Sequence, residues 1–432
     1  MDVSESGLRN VAKRIYDEVH GYIELSEVEL DIVNTSIFQR LRYIRQLATA
    51  WYVYPGATHT RFSHSIGAMH IAGMVSSKFY RLGYIHDPDD VQLLRLAALL
   101  HDIGHTPFSH AIEPFFRYRL GINHEEISRV TIEESPEIKD ILSKHGFDYR
   151  EVIAVLEGRY KEPLYNQLLS SDVDIDRMDY LIRDALHTGV AYGTIDLHRL
   201  IATMAVDGEG NVAILDKGVD AVDNFYLARM HMYKAVYYHK TLVGYELILR
   251  RIYEQLSELY SDEPLLFKTM RDIVKAIRSG DIVYWNDDWL IGFMMDVYRS
   301  RSAPKQLKEL IEAFFKRRGY KVIIDVSNFS NDPLDVESDD DVKQIQSIEV
   351  SIKDIVEPHQ IVSFVDDIKI LDEDPHVVPR IVFTGKRSIP ITECTTSIVK
   401  YVPRRYHVKR LYVITSKWGR VVEELRLKGL LS

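Results

Sequence analysis

An apolar run ends on an imidazole and a carboxylate in Leu99-Leu100-His101-Asp102-Ile103-Gly104-His105. Two such ligands at a helix end can converge on one cation if the chain turns away, and Gly104 permits that turn. Upstream, His59-Thr60-Arg61-Phe62-Ser63-His64 puts His64 at the start of a second helix, with Arg61 about one turn before it. Downstream, Asp172-Val173-Asp174-Ile175-Asp176-Arg177-Met178-Asp179-Tyr180 opens a further helix with several acids. Any of these acids can complete a ligand set or cap the helix. Histidines completed by carboxylates suit a divalent cation, whether Mn, Fe, Mg, Zn or Ni. Taken singly, His64 reads as a polar core histidine and Asp176 as a cap. The order His, His-Asp, Asp gives them a shared reading.

The elements that must position these groups are mostly helical. Ser36–Leu47, His64–Leu82, Asp90–Leu100 and Val219–Tyr238 carry apolar residues at three- and four-residue spacing. Met204–Val206 and Val212–Leu215 flank a Gly-containing turn and read as a small hairpin set among helices. Further helices follow, including Ala303–Arg318, and from Tyr320 the texture changes. The runs 321–326, 360–365, 380–384 and 409–414 are β-branched and aromatic, and Trp418–Leu427 reads as a closing helix. We expect a mainly α chain: helices over 1–318 and a smaller α+β unit over 319–432. The acidic stretch Asp332–Asp341 reads as a solvated loop.

The chain has 432 residues, 46% of them hydrophobic, which supports a large core. A net charge of -10 disfavours nucleic-acid binding through a global basic field. The single cysteine, Cys394, excludes an internal disulfide and a cysteine zinc cluster and fits a cytoplasmic setting. No run approaches the roughly 20 apolar residues of a membrane-spanning helix, and Met1–Asn10 lacks an apolar signal core. Lys400, Arg404, Arg405, Lys409, Arg410, Lys417 and Arg420 make the C-terminal unit locally basic. That patch reads as a solvated face, an effector or subunit contact, or a single-strand contact with Tyr406 or Trp418.

Six blocks in order extend the metal pattern: DEVHGYIE from Asp17, FQRLRYIRQL from Phe38, YPGATHTRFSHSIG from Tyr54, LLHDIGHTPFSH from Leu99, DIDRMDYLIRD from Asp174 and YKAVYYHK from Tyr233. Between about Ile15 and Lys240 the chain resembles the dNTP triphosphohydrolases of the HD superfamily. The branch is that of the vertebrate sterile-alpha-motif and HD-domain dNTPase, here without a preceding sterile-alpha-motif domain. The resemblance implies a helical HD-domain phosphohydrolase core and a metal site of His64, His101, Asp102 and Asp176. It also implies an acid–base group of His105, His110, Glu113 and His124, with His110 protonating the leaving oxygen. Glu113 stands where the family has Asp.

For the substrate, the resemblance implies phosphate contacts from Arg61, Arg177, Tyr180 and Arg229, Arg177 replacing a lysine. Gln46 and Asp184 match residues that hold the 3′-hydroxyl, Tyr237 the ring that excludes a 2′-hydroxyl, and Leu47 a base contact. Tyr233 replaces a histidine, and His239 keeps its place. A nucleotide effector between subunits is implied by Lys13, Gln39 and Arg42, with Asn34 replacing an aspartate and Tyr16 an asparagine. The resemblance alone implies a homo-oligomer. Two rival readings are another HD phosphohydrolase acting on nucleoside monophosphates or cyclic nucleotides, and a non-catalytic nucleotide or nucleic-acid binding protein.

Overall fold

The computed structural model describes residues 8, 10–372, 374, 377–383 and 388–431. Helices dominate, as the spacing predicts, and the two that carry the central motif pack side by side. The first, Arg61–Arg81, buries Phe62, Ile66, Met69, Ile71, Val75 and Phe79. The second, Pro88–Leu100, starts with Pro and an Asp87 cap and buries the apolar run from Leu93 to Leu100. Each of these buried aliphatic or aromatic side chains contributes roughly 1.5–3 kcal/mol, and the core is continuous from Ile23 to Ile414. Among the described residues, no helix is long and apolar enough to cross a membrane.

Two expected helices are shorter than their periodicity. Ser36–Leu47 is helical only as Ser36–Gln39 and a tight turn at Arg40–Tyr43. There Arg45 pairs with Thr60 in an isolated bridge, so Gln46 and Leu47 leave the helix. Val219–Tyr238 is an α-helix to Met232 and then a wide π turn over Tyr233–Tyr237. Such turns re-aim side chains and recur at functional sites.

An N-terminal hairpin, strands β1 (Lys13–Asp17) and β2 (Gly21–Leu25), was not anticipated among the helices. The expected hairpin is present as β3 (Met204–Val206) and β4 (Val212–Leu215). The C-terminal sheet contains β5 (Tyr320–Asp325), β6 (Asn328–Ser330), β7 (Ile361–Lys369) and the long β10 (Arg405–Ile414), which pairs antiparallel with the other three. Strands β8 (Arg380–Val382) and β9 (Ser388–Pro390) instead extend the β3–β4 sheet, tying the C-terminal segment to the helical one. Thr384, expected at the end of a strand, lies outside the described residues.

The acidic stretch is not wholly solvated loop: Asp339 caps a helix over Asp340–Ser351, and Asp339 and Asp341 pair with buried Lys409. The basic C-terminal patch is correspondingly smaller than its sequence. Lys409 and Arg410 are buried, Arg410 on Asp325, and Arg405 binds Asp367. These three cations have partners within the chain, which weakens the single-strand reading.

Candidate active site

His64 sits in the first turn of the Arg61–Arg81 helix with none of its surface exposed, and His101 and Asp102 follow the Pro88–Leu100 helix. His64 donates Nδ1–H to Asp179 Oδ2 at 2.8 Å, and His101 donates Nδ1–H to Ala98 O at 2.7 Å. Both assignments follow from acceptor-only partners, and both leave Nε2 as a lone pair. The two Nε2 atoms face the same point as Asp102 and Asp176. His64 Nε2 lies 2.9 Å from Asp176 Oδ1 and 3.6 Å from Asp102 Oδ2, and His101 Nε2 lies 3.3 Å from Asp102 Oδ1 and 3.5 Å from Asp176 Oδ1.

A cation bound at about 2.1 Å to each of four donors holds neighbouring donors about 3.0–3.5 Å apart, close to what is seen here. Among the described residues neither Nε2 has a hydrogen-bond partner, although both are buried. Two orphaned imidazole lone pairs facing two carboxylates fit a divalent cation. Burial pushes the His64 imidazolium down, but the negative charge of the flanking Asp176 and Asp179 carboxylates outweighs it and raises the group to about 10. In that state a proton stands in for a metal's charge. Burial likewise opposes charge on Asp102, yet the neighbouring Arg61, His101 and His105 hold it well below the usual carboxylate range.

A second cluster lies alongside. Glu113 Oε2 accepts from His110 Nδ1 at 2.7 Å, and Glu113 Oε1 accepts from His124 Nδ1 at 2.9 Å. One carboxylate therefore orients two rings. Burial pushes Glu113 up, but both histidine hydrogen bonds hold it far below its ordinary value, so it is ionised. His105 stacks on His124 at 4.1 Å and meets the edge of His110 at 5.1 Å. Burial, then Arg61 and His124, keeps His105 well below the usual imidazole range, and its Nε2 is 3.2 Å from Asp102 Oδ1.

The loop carrying His105 and His110 bends through Phe108 and Ser109 at φ of +55° and +49°, a conformation that side chains disfavour. Buried Asp287 accepts from Phe108 N at 2.6 Å, and buried Arg40 donates to the carbonyls of Ile103 and His105 at 2.7 and 3.0 Å. Neither Asp287 nor Arg40 was anticipated from the sequence. Gly104 lets the loop touch the His124–Glu134 helix: a Cβ there would stand 2.1 Å from Ser128 N and 2.7 Å from His124 O. Gly104→Ala is expected to cost about 3 kcal/mol, like other overpacked sites, and to lower turnover by displacing His124. Chemical denaturation and kcat on the purified variant check both effects.

The two clusters open on one cavity of about 1050 Å³. Its lining also includes Gln46, Leu47, Asp184, Tyr233 and Tyr237. Tyr237 donates to Asp184 Oδ2 at 2.8 Å, His59 Nε2 lies 2.8 Å from Asp184 Oδ1, and buried Gln46 Oε1 has no partner among the described residues. The cations are less free than expected. Arg61 donates to Asp102 at 2.7 Å and Ser109 at 3.0 Å, Arg177 pairs with Asp174, and Arg229 pairs with Asp172 at 2.7 Å. Arg61, Arg177 and Tyr180 line the cavity, and Arg229 lies behind, 5.8 Å from the Tyr233 ring centroid.

Residues 61–184 match the HD domain family and residues 195–362 the HD associated region. An uncharacterized protein of Bacillus subtilis is 34% identical over 66% of this chain and 68% of its own length. The chain belongs to the HD-domain family. An uncharacterized protein of Methanocaldococcus jannaschii is 36% identical over 78% of this chain, which spans 65% of that relative. A deoxynucleoside triphosphate triphosphohydrolase of Homo sapiens is 31% identical over 53% of this chain and 42% of its own length. In fold, a crystal structure of a phosphohydrolase from Bacteroides thetaiotaomicron matches 93% of this chain at TM-score 0.76 and 25% identity.

Within this HD-domain chain His239, like Arg229, lies off the cavity lining, and the residues expected at an effector site between subunits lie apart from the cavity. His239 caps the Lys240–Leu259 helix and does not line the cavity. Gln39 and Arg42 bond to each other at 2.7 Å, Gln39 Nε2 donates to Val33 O beside exposed Asn34, and Lys13 is exposed on β1. None of these four lines the cavity. Conversely, Tyr238, Glu246, Arg250, Phe364 and Asp366 line it unforeseen. Tyr238 donates to Asp366 at 3.0 Å, so β7 helps close the HD cavity.

Burial pushes Glu246 up to about 8, with Arg250 only partly opposing the shift. Its raised value means that the neutral form favours folding, and this stability is lost as pH rises from about 4.5 to 8. Glu246→Gln is expected to match the parent near pH 4.5 and to be more stable by a few kcal/mol above pH 8. Urea denaturation at both ends of that window measures the difference.

Proposed function

We propose that this HD-domain protein hydrolyses 2′-deoxynucleoside 5′-triphosphates to deoxynucleoside and inorganic triphosphate. Water adds to the α-phosphorus, the bond from phosphorus to the 5′-oxygen breaks, and that oxygen leaves with a proton from His110. A divalent cation held by His64, His101, Asp102 and Asp176 would lower the pKa of bound water and offset the charge of the attacked phosphate. Glu113 holds His110 and His124 by Nδ1, leaving the Nε2 edges for proton transfer, and its negative charge favours the proton-bearing ring. Arg61, Arg177 and Tyr180 receive the phosphates, and Arg229 adds its positive charge from behind them.

The observation that carries the sugar assignment is the wall of Tyr237, Asp184 and Gln46. The orphaned Gln46 Oε1 needs a donor, and a 3′-hydroxyl supplies one. Tyr237, held to Asp184 at 2.8 Å, lines the same cavity and would take the room a 2′-hydroxyl needs. The human relative named as a deoxynucleoside triphosphate triphosphohydrolase supports the same substrate class. Tyr237→Ala is therefore expected to admit ribonucleoside triphosphates. Relative kcat/KM for ribo against deoxy substrate should rise about tenfold or more, a change worth about 1.4 kcal/mol or above. An unchanged ratio removes Tyr237 from sugar selection.

The proposal extends, on family resemblance, to a homo-oligomer and to a nucleotide effector at Lys13, Asn34, Gln39 and Arg42. Adding a second nucleotide to the assay, with mass measurement in solution, tests both.

A further inference from the structure

The conspicuous N-terminal block DEVHGYIE takes no part in the chemistry above, yet its histidine reaches the metal site through one residue. His20, in the turn between β1 and β2, has a side chain only 5% exposed, and its Nε2 lies 2.6 Å from Asp179 Oδ1. Asp179 Oδ2 is the acceptor for His64 Nδ1 at 2.8 Å. The same carboxylate takes Arg183 Nε at 2.8 Å and Nη2 at 3.0 Å, and Arg183 returns to the hairpin through Asp17 Oδ2 at 2.9 Å. Asp17 in turn accepts from the amides of Val19 and His20, both at 2.9 Å, which fixes the turn that presents His20.

The network is built tightly. Asp179, Arg183 and His64 are wholly buried, and Gly67, one turn after His64, makes the space for them: a Cβ at Gly67 would meet Asp179 Oδ1 at 2.0 Å and Arg183 Nη2 at 2.4 Å. The hairpin has five residues in each strand and no third strand among the described residues, and a two-stranded hairpin of this size gains its order from docking. Its outer side shows Tyr16 and Tyr22, 72% and 69% exposed, while Ile23 and Leu25 are fully buried.

We infer that the β1–β2 hairpin is a clamp on the metal ligand. His20 and the Asp17–Arg183 pair position Asp179, and Asp179 sets the tautomer and ring plane of His64. His20 and Asp179 are thus positioning residues. Since a docked hairpin favours the binding-competent ring, cation binding must favour the docked hairpin to the same degree. The inference rests on the metal-ligand assignment and is independent of the substrate.

The test uses the full chain and Mn(II) alone, without nucleotide. Affinity is read by competition with a chelating dye, and hydrogen exchange is followed over residues 13–25. In the parent protein Mn(II) should slow exchange in the hairpin. His20→Phe keeps the ring's bulk without its hydrogen bond and should weaken Mn(II) binding by about 10- to 100-fold, the usual effect of removing a ligand's support. Ile23→Ala, which loosens the hairpin without touching Asp179, should weaken it less but measurably, and Asp179→Asn, which keeps one acceptor, less than Asp179→Ala. Parental affinity in folded His20→Phe, or hairpin exchange indifferent to Mn(II) in the parent, overturns the clamp. No Mn(II) binding by the parent overturns the metal assignment first and the clamp with it.

Discussion

The double variant His101→Ala, Asp102→Ala is expected to bind no divalent cation and to lose at least about a thousandfold in turnover while still folding cooperatively. Two of the four converging donors disappear, and His64 and Asp176 alone do not make a closed set. The rate loss follows from several kcal/mol of charge stabilisation, each 1.36 kcal/mol being tenfold. Folding survives because His101 and Asp102 lie after the helix end and line the cavity. Arg61 loses Asp102 but keeps Ser109 Oγ at 3.0 Å and Gln46 O at 3.4 Å. A stability loss of about 2 kcal/mol is expected, the ordinary range for a point change. Metal content by elemental analysis, circular dichroism and turnover together check it. Full activity in this variant would sink the mechanism.

Glu113→Ala should separate the second cluster from the first. It unties His110 and His124 at once, so kcat should fall by about a hundredfold or more, the span that positioned acid–base groups supply. Metal content should stay at the parental level, because Glu113 touches none of the four proposed ligands. Glu113→Asp is the sharper variant. From an unchanged backbone the shorter side chain cannot reach both rings at the 2.7 and 2.9 Å now seen, so an intermediate loss is expected. Equal loss of metal and activity in Glu113→Ala would mean that the clusters are one structural unit.

Much of this site is legible in the sequence because its local signals are strong. His101-Asp102 follow a helix whose last eight residues are apolar but for Arg95, Gly104 marks the turn, and Asp174 caps the helix bearing Asp176 and Asp184. Those features depend on residues within a few positions of each other. The contacts that were missed join distant segments. Asp287 holds Phe108 from 179 residues away, and His20 holds Asp179 from 159. Tyr238 and Asp366 meet across 128 residues to close the cavity, and no periodicity in either segment encodes that pairing. The N-terminal hairpin did leave a trace, since Ile15, Ile23 and Leu25 alternate with polar residues. It is short, however, and stands among amphipathic helices. Ser36–Leu47 misled for the opposite reason: its helical spacing is real, but pairing of Arg45 with Thr60 overrides it.

The measurement that bears most directly on the account is identification of the products formed from a dNTP by the purified, Mn(II)-loaded protein, using phosphorus NMR alongside chromatography of the nucleoside. Deoxynucleoside and inorganic triphosphate in equal amounts are the expected products. Release of pyrophosphate with a nucleoside monophosphate, of single phosphates, or of nothing while monophosphates or cyclic nucleotides are consumed, would contradict the proposed reaction.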